Sequence, residues 1–496
     1  MSSLALALWL SLAPASSAGG AVLVVPPAGP KGAATGWLGA LVAELLPRAL
    51  QRAGVPAVPD EDRRAAQEAL GVSAAATTRA TSIRVAEALG SSRLVVGSWD
   101  ERAGETALSL RLLDAERGTL SAPLVGSAPA AGLGGLVHSL AWDVALAGPR
   151  PPTGTREALV RAGEATPFEA LRALGEGLAA REASARIAGV RRALAAAPDC
   201  EEAALALARL LVDSSAFEEA RAALGHVRQD SPFSRDARFL EGVALIGLRR
   251  FREADVLYAQ LVQERSTAAA LANRGLARLR AAAGVNGAST LLREAVEVEP
   301  ASVDLPFDLG YGLLVEGDAP AAVFWLKGAV RRDPADAQGR LALSWALAAS
   351  GRAAEAEEQW RAAVALTPAL AGLRNPDPTR RLERVLVSER GPLLDPERRS
   401  DAEEARTRAT HGESLLEAND LAGALSELAR AALLDPYLAR PHLLLARAHR
   451  SRGENDKAVE ELRMALWCRE DPIVRRELAD LLRALGRVEE AKRVAG

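Results

Sequence analysis

The sequence contains a proline that recurs on a 34-residue lattice. Its positions, separated by one period or by two, are Pro198, Pro232, Pro300, Pro334, Pro368 and Pro436. Alanine occupies a second lattice of the same period, at Ala220, Ala254, Ala288, Ala322, Ala356, Ala424 and Ala458. This period is typical of helix-turn-helix repeats, in which a small residue lies where two helices cross. Because one such unit cannot bury its own apolar stripe, the units must stack, and function is expected on the surface of the array.

Two units show the internal pattern most fully. Residues 201–234 contain Leu207, Ala208, Leu211, Phe217, Ala220 and Leu224, and residues 337–370 contain Leu343, Leu347, Gly351, Ala356, Trp360, Ala363 and Pro368. The pattern resembles the tetratricopeptide repeat, and the resemblance covers about two thirds of the chain. It implies that the first helix of each pair lines a surface that binds proteins or peptides. We predict six repeats over 167–370 and further C-terminal repeats over 403–496.

The lattice is interrupted once, between the two blocks of repeats. The alanine position is occupied by Arg390, and Pro376 and Pro378 lie where a first helix should run, which proline disfavours. We therefore predict an insert or degenerate repeat over 371–402, with loops around one short helix at about 379–389. Ser400 followed by Glu403 is a capping-box pattern that predicts the start of the next helix.

Residues 19–147 differ from the repeats in the spacing of their apolar residues. Short apolar strands are predicted at 21–25, 55–58, 93–97, 106–113 and 121–126, with helices between and after them. The segments 88–99 and 110–118 resemble the TolB-type, or FlgO-like, amino-terminal domain found before repeat arrays in bacterial proteins. A linker is predicted at 148–166 because it begins with a run of prolines. The predicted fold class is thus a small α/β domain followed by an all-α tetratricopeptide-repeat solenoid.

The amino terminus resembles a secretory signal. An apolar stretch from Leu4 to Leu12 is followed by small residues up to Ala18, so residues 1–18 are predicted to be a signal peptide and the protein to be periplasmic or secreted. Two alternatives to a cleaved signal peptide stay open: the start codon is mis-assigned, or the apolar stretch is a short uncleaved anchor. No later segment is long and apolar enough to predict a transmembrane helix in the mature chain. The net charge of −3 disfavours nucleic acid as a partner.

The sequence contains no motif for catalysis, for a cofactor or for a metal. Paired-cysteine, metalloprotease, phosphate-loop and nucleophile-elbow patterns are absent. His442 and His449 lie about 10 Å apart along one predicted helix, too far to share a zinc ion without other ligands. Cys200 and Cys468 are predicted to be buried thiols. We therefore predict no enzymatic activity and no cofactor.

The predicted first helices carry a stripe that changes from aromatic to basic. The residues predicted to bind a partner are Phe239, Val243, Phe307, Tyr311, Leu341, Trp345, Arg440, Arg447, Arg450 and Arg483. An aromatic patch with a charged end suits an extended or helical segment of another protein. In the alternative interpretation, the aromatic side chains fill a tightly wound array and the arginines pair with acidic neighbours such as Glu477 and Asp480.

These observations favour a non-enzymatic exported scaffold or adaptor of the bacterial cell envelope that binds other proteins through its repeats. Three alternatives stay open at the level of sequence. The chain could be a ligand-binding accessory protein, with the α/β domain as the binder. It could also be a regulatory subunit of an envelope enzyme. If the apparent signal peptide is an artefact of the start site, it could be a cytoplasmic signalling adaptor.

Overall fold

The computed structural model describes residues 21–30, 36–72, 78–102, 104–149, 151–281, 287–375, 382–389, 393–394 and 396–495. The predicted signal peptide lies outside these residues. The chain forms two compact units. The first unit contains the residues up to Arg265 together with Val387–Glu389, and the second contains Ser266–Leu386 and the residues from Arg390 onward.

The first unit begins with a small mixed sheet. Its strands are β1 Val22–Val24, β2 Arg93–Arg102, β3 Glu105–Asp114, β4 Thr119–Leu120 and β5 Leu124–Pro129. Strand β1 pairs in parallel with β2, and β2 pairs antiparallel with β3, which also pairs with β4 and β5. The strand predicted at 55–58 is reduced to a bridge between Ala57 and Val22.

Four helices accompany the sheet: α1 Trp37–Arg52, α2 Asp60–Ala69, α3 Arg79–Ala88 and α4 Leu133–Ala147. Helix α1 is buried along almost its whole length and contacts both α4 and the first repeat helices. Within the described residues, one helical stretch, Ala130–Ala147, is long and apolar enough to cross a membrane, and 56% of it is buried inside the protein.

Helical hairpins complete the first unit. Their helices are α5 Arg156–Glu164, α6 Phe168–Ala179, α7 Ala183–Ala196, α8 Glu201–Asp213, α9 Phe217–Leu224, α10 Ser234–Gly247 and α11 Phe251–Glu264. Helix α5 corrects the linker predicted at 148–166, because it packs against α4 and is capped by the Thr155 side chain. The proline run disfavours a helix only up to Pro152, so the residues after it can form one.

The α/β domain is joined to the hairpins by ion pairs in which at least one charged side chain is buried. Arg52 of α1 binds Glu202 of α8 at 2.8 Å, and Arg48 binds Asp236 of α10 at 3.1 Å. Such pairs are costly to break because removal of one partner leaves a buried charge. The α/β domain and the first hairpins are therefore one packed body.

The second unit consists of further hairpins. Before the interruption its helices are α12 Ala268–Ala281, α13 Ala288–Val298, α14 Leu305–Glu316, α15 Ala319–Arg332, α16 Ala337–Ala349 and α17 Ala353–Leu366. After it they are α18 Pro396–Glu417, α19 Leu421–Leu434, α20 Ala439–Ser451, α21 Asn455–Cys468, α22 Pro472–Ala484 and α23 Val488–Ala495. The predicted fold class, a small α/β domain followed by an all-α repeat array, is confirmed.

The hairpins after the interruption pack on those before it through aromatic rings. The Trp325 and Tyr437 rings stack at 4.0 Å between centroids, and the Tyr437 hydroxyl donates to the Trp325 carbonyl at 3.0 Å. Gly328 makes room for this contact, because a Cβ there would lie 1.3 Å from the Tyr437 oxygen. The Trp467 carbonyl accepts from the Trp325 indole at 3.2 Å.

The interruption itself differs from its prediction. Residues 382–388 form neither helix nor strand, so the short helix predicted at about 379–389 is absent there, and residues 379–381 lie outside the described residues. Helix α18 begins at Pro396, so Ser400 lies inside it and does not cap its start. The predicted insert therefore contributes a stretch without helix or strand, residues 382–389, which we name the docked segment.

Candidate protein-binding surface

Helix α12 holds the main chain of the docked segment through one buried amide. The Asn273 side chain donates to the Leu386 carbonyl at 2.7 Å and accepts from the Leu386 amide at 2.9 Å. Asn273 is fully buried. An amide paired in this way recognises extended backbone whatever the side chain, and each hydrogen bond of this kind contributes about 1 kcal/mol.

The same helix also recognises an acidic side chain. Arg280 donates to both carboxylate oxygens of Glu383, at 3.0 and 2.7 Å. The Glu383 side chain is only 1% exposed. The Tyr311 hydroxyl, on α14, accepts from Arg280 at 3.1 Å and so holds the guanidinium in place. Paired, bidentate contacts of this type are stronger than ordinary hydrogen bonds and select a carboxylate.

The next residue of the docked segment, Arg384, is held by acidic side chains. Arg384 donates to Asp304 at 2.6 Å and also binds Asp336. Its guanidinium lies 4.0 Å from the centre of the Phe307 ring, a cation–π distance. Its main-chain amide donates to Asp308 at 2.8 Å. Burial raises the pKa of Asp308 well above its ordinary value, since the Arg384 contacts compensate only in part.

The end of the docked segment, Val387–Glu389, belongs to the first unit. Arg235 of α10 donates from Nε to both Glu389 carboxylate oxygens at 2.7 Å, and Arg265 donates to one of them at 3.3 Å. Ser388 donates to Asp62 of α2 at 2.8 Å, and Arg209 of α8 donates to the Val387 carbonyl. Main chain and acidic side chain are both recognised here, as they are on α12.

The aromatic and aliphatic residues predicted to bind a partner are withdrawn from solvent. All are at most 4% exposed: Phe239, Val243, Phe307, Tyr311, Leu341 and Trp345. Phe307 lies under Arg384, whereas the Phe239 ring meets the Tyr258 ring of its own hairpin edge-on at 5.4 Å. The Trp345 indole donates to the Leu373 carbonyl at 3.0 Å. Their burial agrees with the alternative interpretation, in which the aromatic side chains fill the array, and contact with a partner at these residues stays a prediction.

The four predicted arginines lie on the last helices and are half-exposed. Each forms an ion pair: Arg447 and Arg450 with Glu477, Arg440 with Glu413, and Arg483 with Asp480. The pairs with Glu477 and Asp480 match the acidic neighbours named in the alternative interpretation of the sequence. Exposed pairs contribute little to stability and exchange readily, so partner binding by these arginines also stays a prediction.

The remaining reactive side chains have partners of their own. His442 contacts Glu461 at 2.7 Å and the Pro436 carbonyl at 3.0 Å, and His449 contacts Glu454 at 2.8 Å. Burial raises the pKa of the Cys200 thiol to about 12. Among the residues that the structure describes, no group of three or more histidine, cysteine or acidic side chains could hold a metal ion.

The residues that hold the docked segment were missed by the sequence analysis, although a signal existed. Asn273 lies one 34-residue period after Phe239 and one before Phe307, and Arg280 lies seven residues after Asn273 on the same helix face. The aromatic stripe therefore has a polar break in one repeat. A buried amide and guanidinium at otherwise apolar positions require partners, and this requirement points to a bound segment.

Comparison with known proteins yields likeness of structure alone. No protein-family model matches the chain, and no curated protein matches it. Similar solved structures include YrrB, a TPR protein with an unusual peptide-binding site (17% identity, TM-score 0.30, covering 36% of this chain and 92% of YrrB). A second is MamA AMB-1, with 20% identity and a TM-score of 0.29, covering 33% of this chain and 96% of MamA. A third is the APC/C hetero-tetramer Cut9-Hcn1, with 16% identity and a TM-score of 0.28, covering 71% of this chain and 62% of that chain. The assignment of the repeats depends on their own geometry: helical hairpins whose first helices begin at Glu201, Ser234, Ala268, Leu305 and Ala337.

Proposed function

We propose that the protein is a non-enzymatic, exported scaffold of the bacterial cell envelope that binds extended segments of other proteins. The observation that carries the proposal is the contact between α12 and the docked segment. There Asn273 binds both polar groups of one main-chain unit, and Arg280 binds the carboxylate of Glu383. A surface that holds polypeptide in this way has the chemistry of a peptide-binding site.

Export is the second element of the proposal. It is supported by the apolar stretch and small residues before Gly19. Amino-terminal sequencing of the protein from its source organism tests it. We expect the mature chain to begin near Gly19 and to fractionate with the envelope. A chain that retains Met1 in the cytoplasmic fraction would contradict export and leave the binding surface unaffected.

Site-specific photo-crosslinking in the source organism tests the binding surface. A photoreactive amino acid is placed at Leu314 of α14, which lies on the same helix face as Phe307 and Tyr311. The matched control places it at Arg331, which is exposed on α15, the second helix of the same hairpin. We expect adducts with another protein from position 314 and none from position 331. Adducts from 331 alone would show that partners bind elsewhere.

A further inference from the structure

The docked segment has the features of a ligand that happens to be part of the chain. It forms neither helix nor strand, pairs with none of the described strands, and six of its eight residues are of intermediate burial as whole residues. Its firmest contacts are polar: a main-chain pair at Leu386, a carboxylate at Glu383 and a guanidinium at Arg384. Core segments are held mainly by apolar burial, whereas bound peptides are held by contacts of this kind.

The hairpins beneath the docked segment do not depend on it for their own pairing. Helix α12 packs on α13, α14 on α15 and α16 on α17. The docked segment lies in sequence between α17 and α18 and belongs to none of these hairpins. We expect its release to uncover the Phe307 ring, Asn273 and Arg280 without unfolding the array.

We propose that residues 382–389 are a built-in competitor, and that the partner carries an extended segment with an acidic residue followed directly by a basic one. This inference rests on the proposed function and specifies its partner and its regulation. The acidic side chain replaces Glu383 on Arg280, and the basic side chain replaces Arg384 between Asp304 and the Phe307 ring. Asn273 then binds the main chain of the partner three residues after its acidic side chain.

Opposite charges at adjacent positions make the recognition directional. Arg280 repels a basic side chain, and Asp304 with Asp336 repel an acidic one, so a reversed order of charges fails at both places. The tethered copy acts at an effective concentration of the order of millimolar. A free partner must therefore bind more tightly or be present in excess.

The test measures binding of a labelled synthetic peptide by fluorescence anisotropy. The peptide has the sequence of residues 382–389 with blocked ends. The full chain is compared with an opened chain, in which residues 382–389 are replaced by eight alternating glycine and serine residues. We expect the opened chain to bind the peptide at least tenfold more tightly than the unaltered chain. In the opened chain, Arg280→Glu should abolish binding, whereas the matched change Arg331→Glu should leave it intact.

A second peptide tests the order of charges. It carries Glu383→Lys together with Arg384→Glu, so its composition is nearly unchanged. We expect it to bind the opened chain at least tenfold more weakly than the first peptide. Equal binding of both peptides would overturn the assignment of an acidic-then-basic partner.

Two results would overturn the proposal that residues 382–389 compete with a partner. One is equal affinity of the first peptide for the unaltered and opened chains, and the other is no binding to an opened chain whose circular dichroism and melting temperature are normal. If the opened chain does not fold, the full-length double variant Glu383→Lys and Arg384→Glu takes its place, because it weakens docking at constant length. Crosslinking from position 314 separates the two proposals, since adducts there persist if only the competitor is wrong.

Discussion

Replacement of Glu44 by glutamine should make the protein more stable at pH 8 and change it little at pH 5. Glu44 lies on α1 with its side chain 3% exposed, 3.5 Å from Arg48. Arg48 is also bound by Glu61 at 2.7 Å and by Asp236. The positive charge of Arg48 is therefore shared among three carboxylates and compensates the Glu44 carboxylate only in part. One Glu44 carboxylate oxygen is buried and accepts no hydrogen bond from the described residues.

The size of the effect on the free energy of unfolding follows from the raised pKa of Glu44. Burial, with repulsion from Glu61, raises the pKa of Glu44 from 4.5 to about 8. Between these values the folded protein binds one proton more than the unfolded chain, so the free energy of unfolding decreases as the pH rises. At about 1.4 kcal/mol per pH unit, the whole interval corresponds to about 5 kcal/mol as an upper bound. Below pH 4.5 this contribution is fully present, and above pH 8 it is lost.

The assay is urea unfolding of Glu44→Gln and of the unaltered chain at pH 5, 6, 7 and 8, followed by circular dichroism. The difference between the two proteins isolates Glu44 from other titrating groups. We expect the unfolding midpoint of the variant to exceed that of the unaltered chain increasingly as the pH rises. The matched control is Glu358→Gln, an exposed glutamate on α17. A difference that is constant from pH 5 to pH 8 would refute the reasoning, because it would show that Glu44 is ionised throughout.

Three further outcomes are expected. Trp345→Ala should lower the free energy of unfolding by about 3–5 kcal/mol because it empties a buried site; a calorimetric melting temperature that stays normal would show that the ring packs weakly. Gly328→Ala should separate the C-terminal hairpins from α15, since its methyl group displaces Tyr437, and limited proteolysis should then release a fragment beginning near α18; an unchanged digestion pattern would argue against this contact. Cys200 and Cys468 are buried thiols, and burial raises the pKa of both. Neither should react with a disulfide reagent at pH 8 until the protein is denatured, and rapid labelling of the native protein would contradict their burial.

The 34-residue lattice determined the repeat architecture without any tertiary information. A helix-turn-helix unit is specified locally, by a small residue such as Ala220 at a helix crossing and by the apolar spacing of helix faces. Ala220 and Ala254 are fully buried, as that reasoning requires. The α/β domain was likewise visible, because alternating and continuous apolar runs predict strands from local sequence alone.

Contacts between residues distant in sequence were decided only by the tertiary structure. A short helix was predicted at about 379–389, yet residues 382–388 form no helix, because Asn273 and Arg280 offer the main chain and Glu383 better partners than a helix of its own would. More than 100 residues separate the two sides of these contacts, and no local pattern encodes their meeting. The sequence alone determined the repeating scaffold, and the tertiary structure determined what lies on it, since local propensities are weak and long-range hydrogen bonds and ion pairs override them.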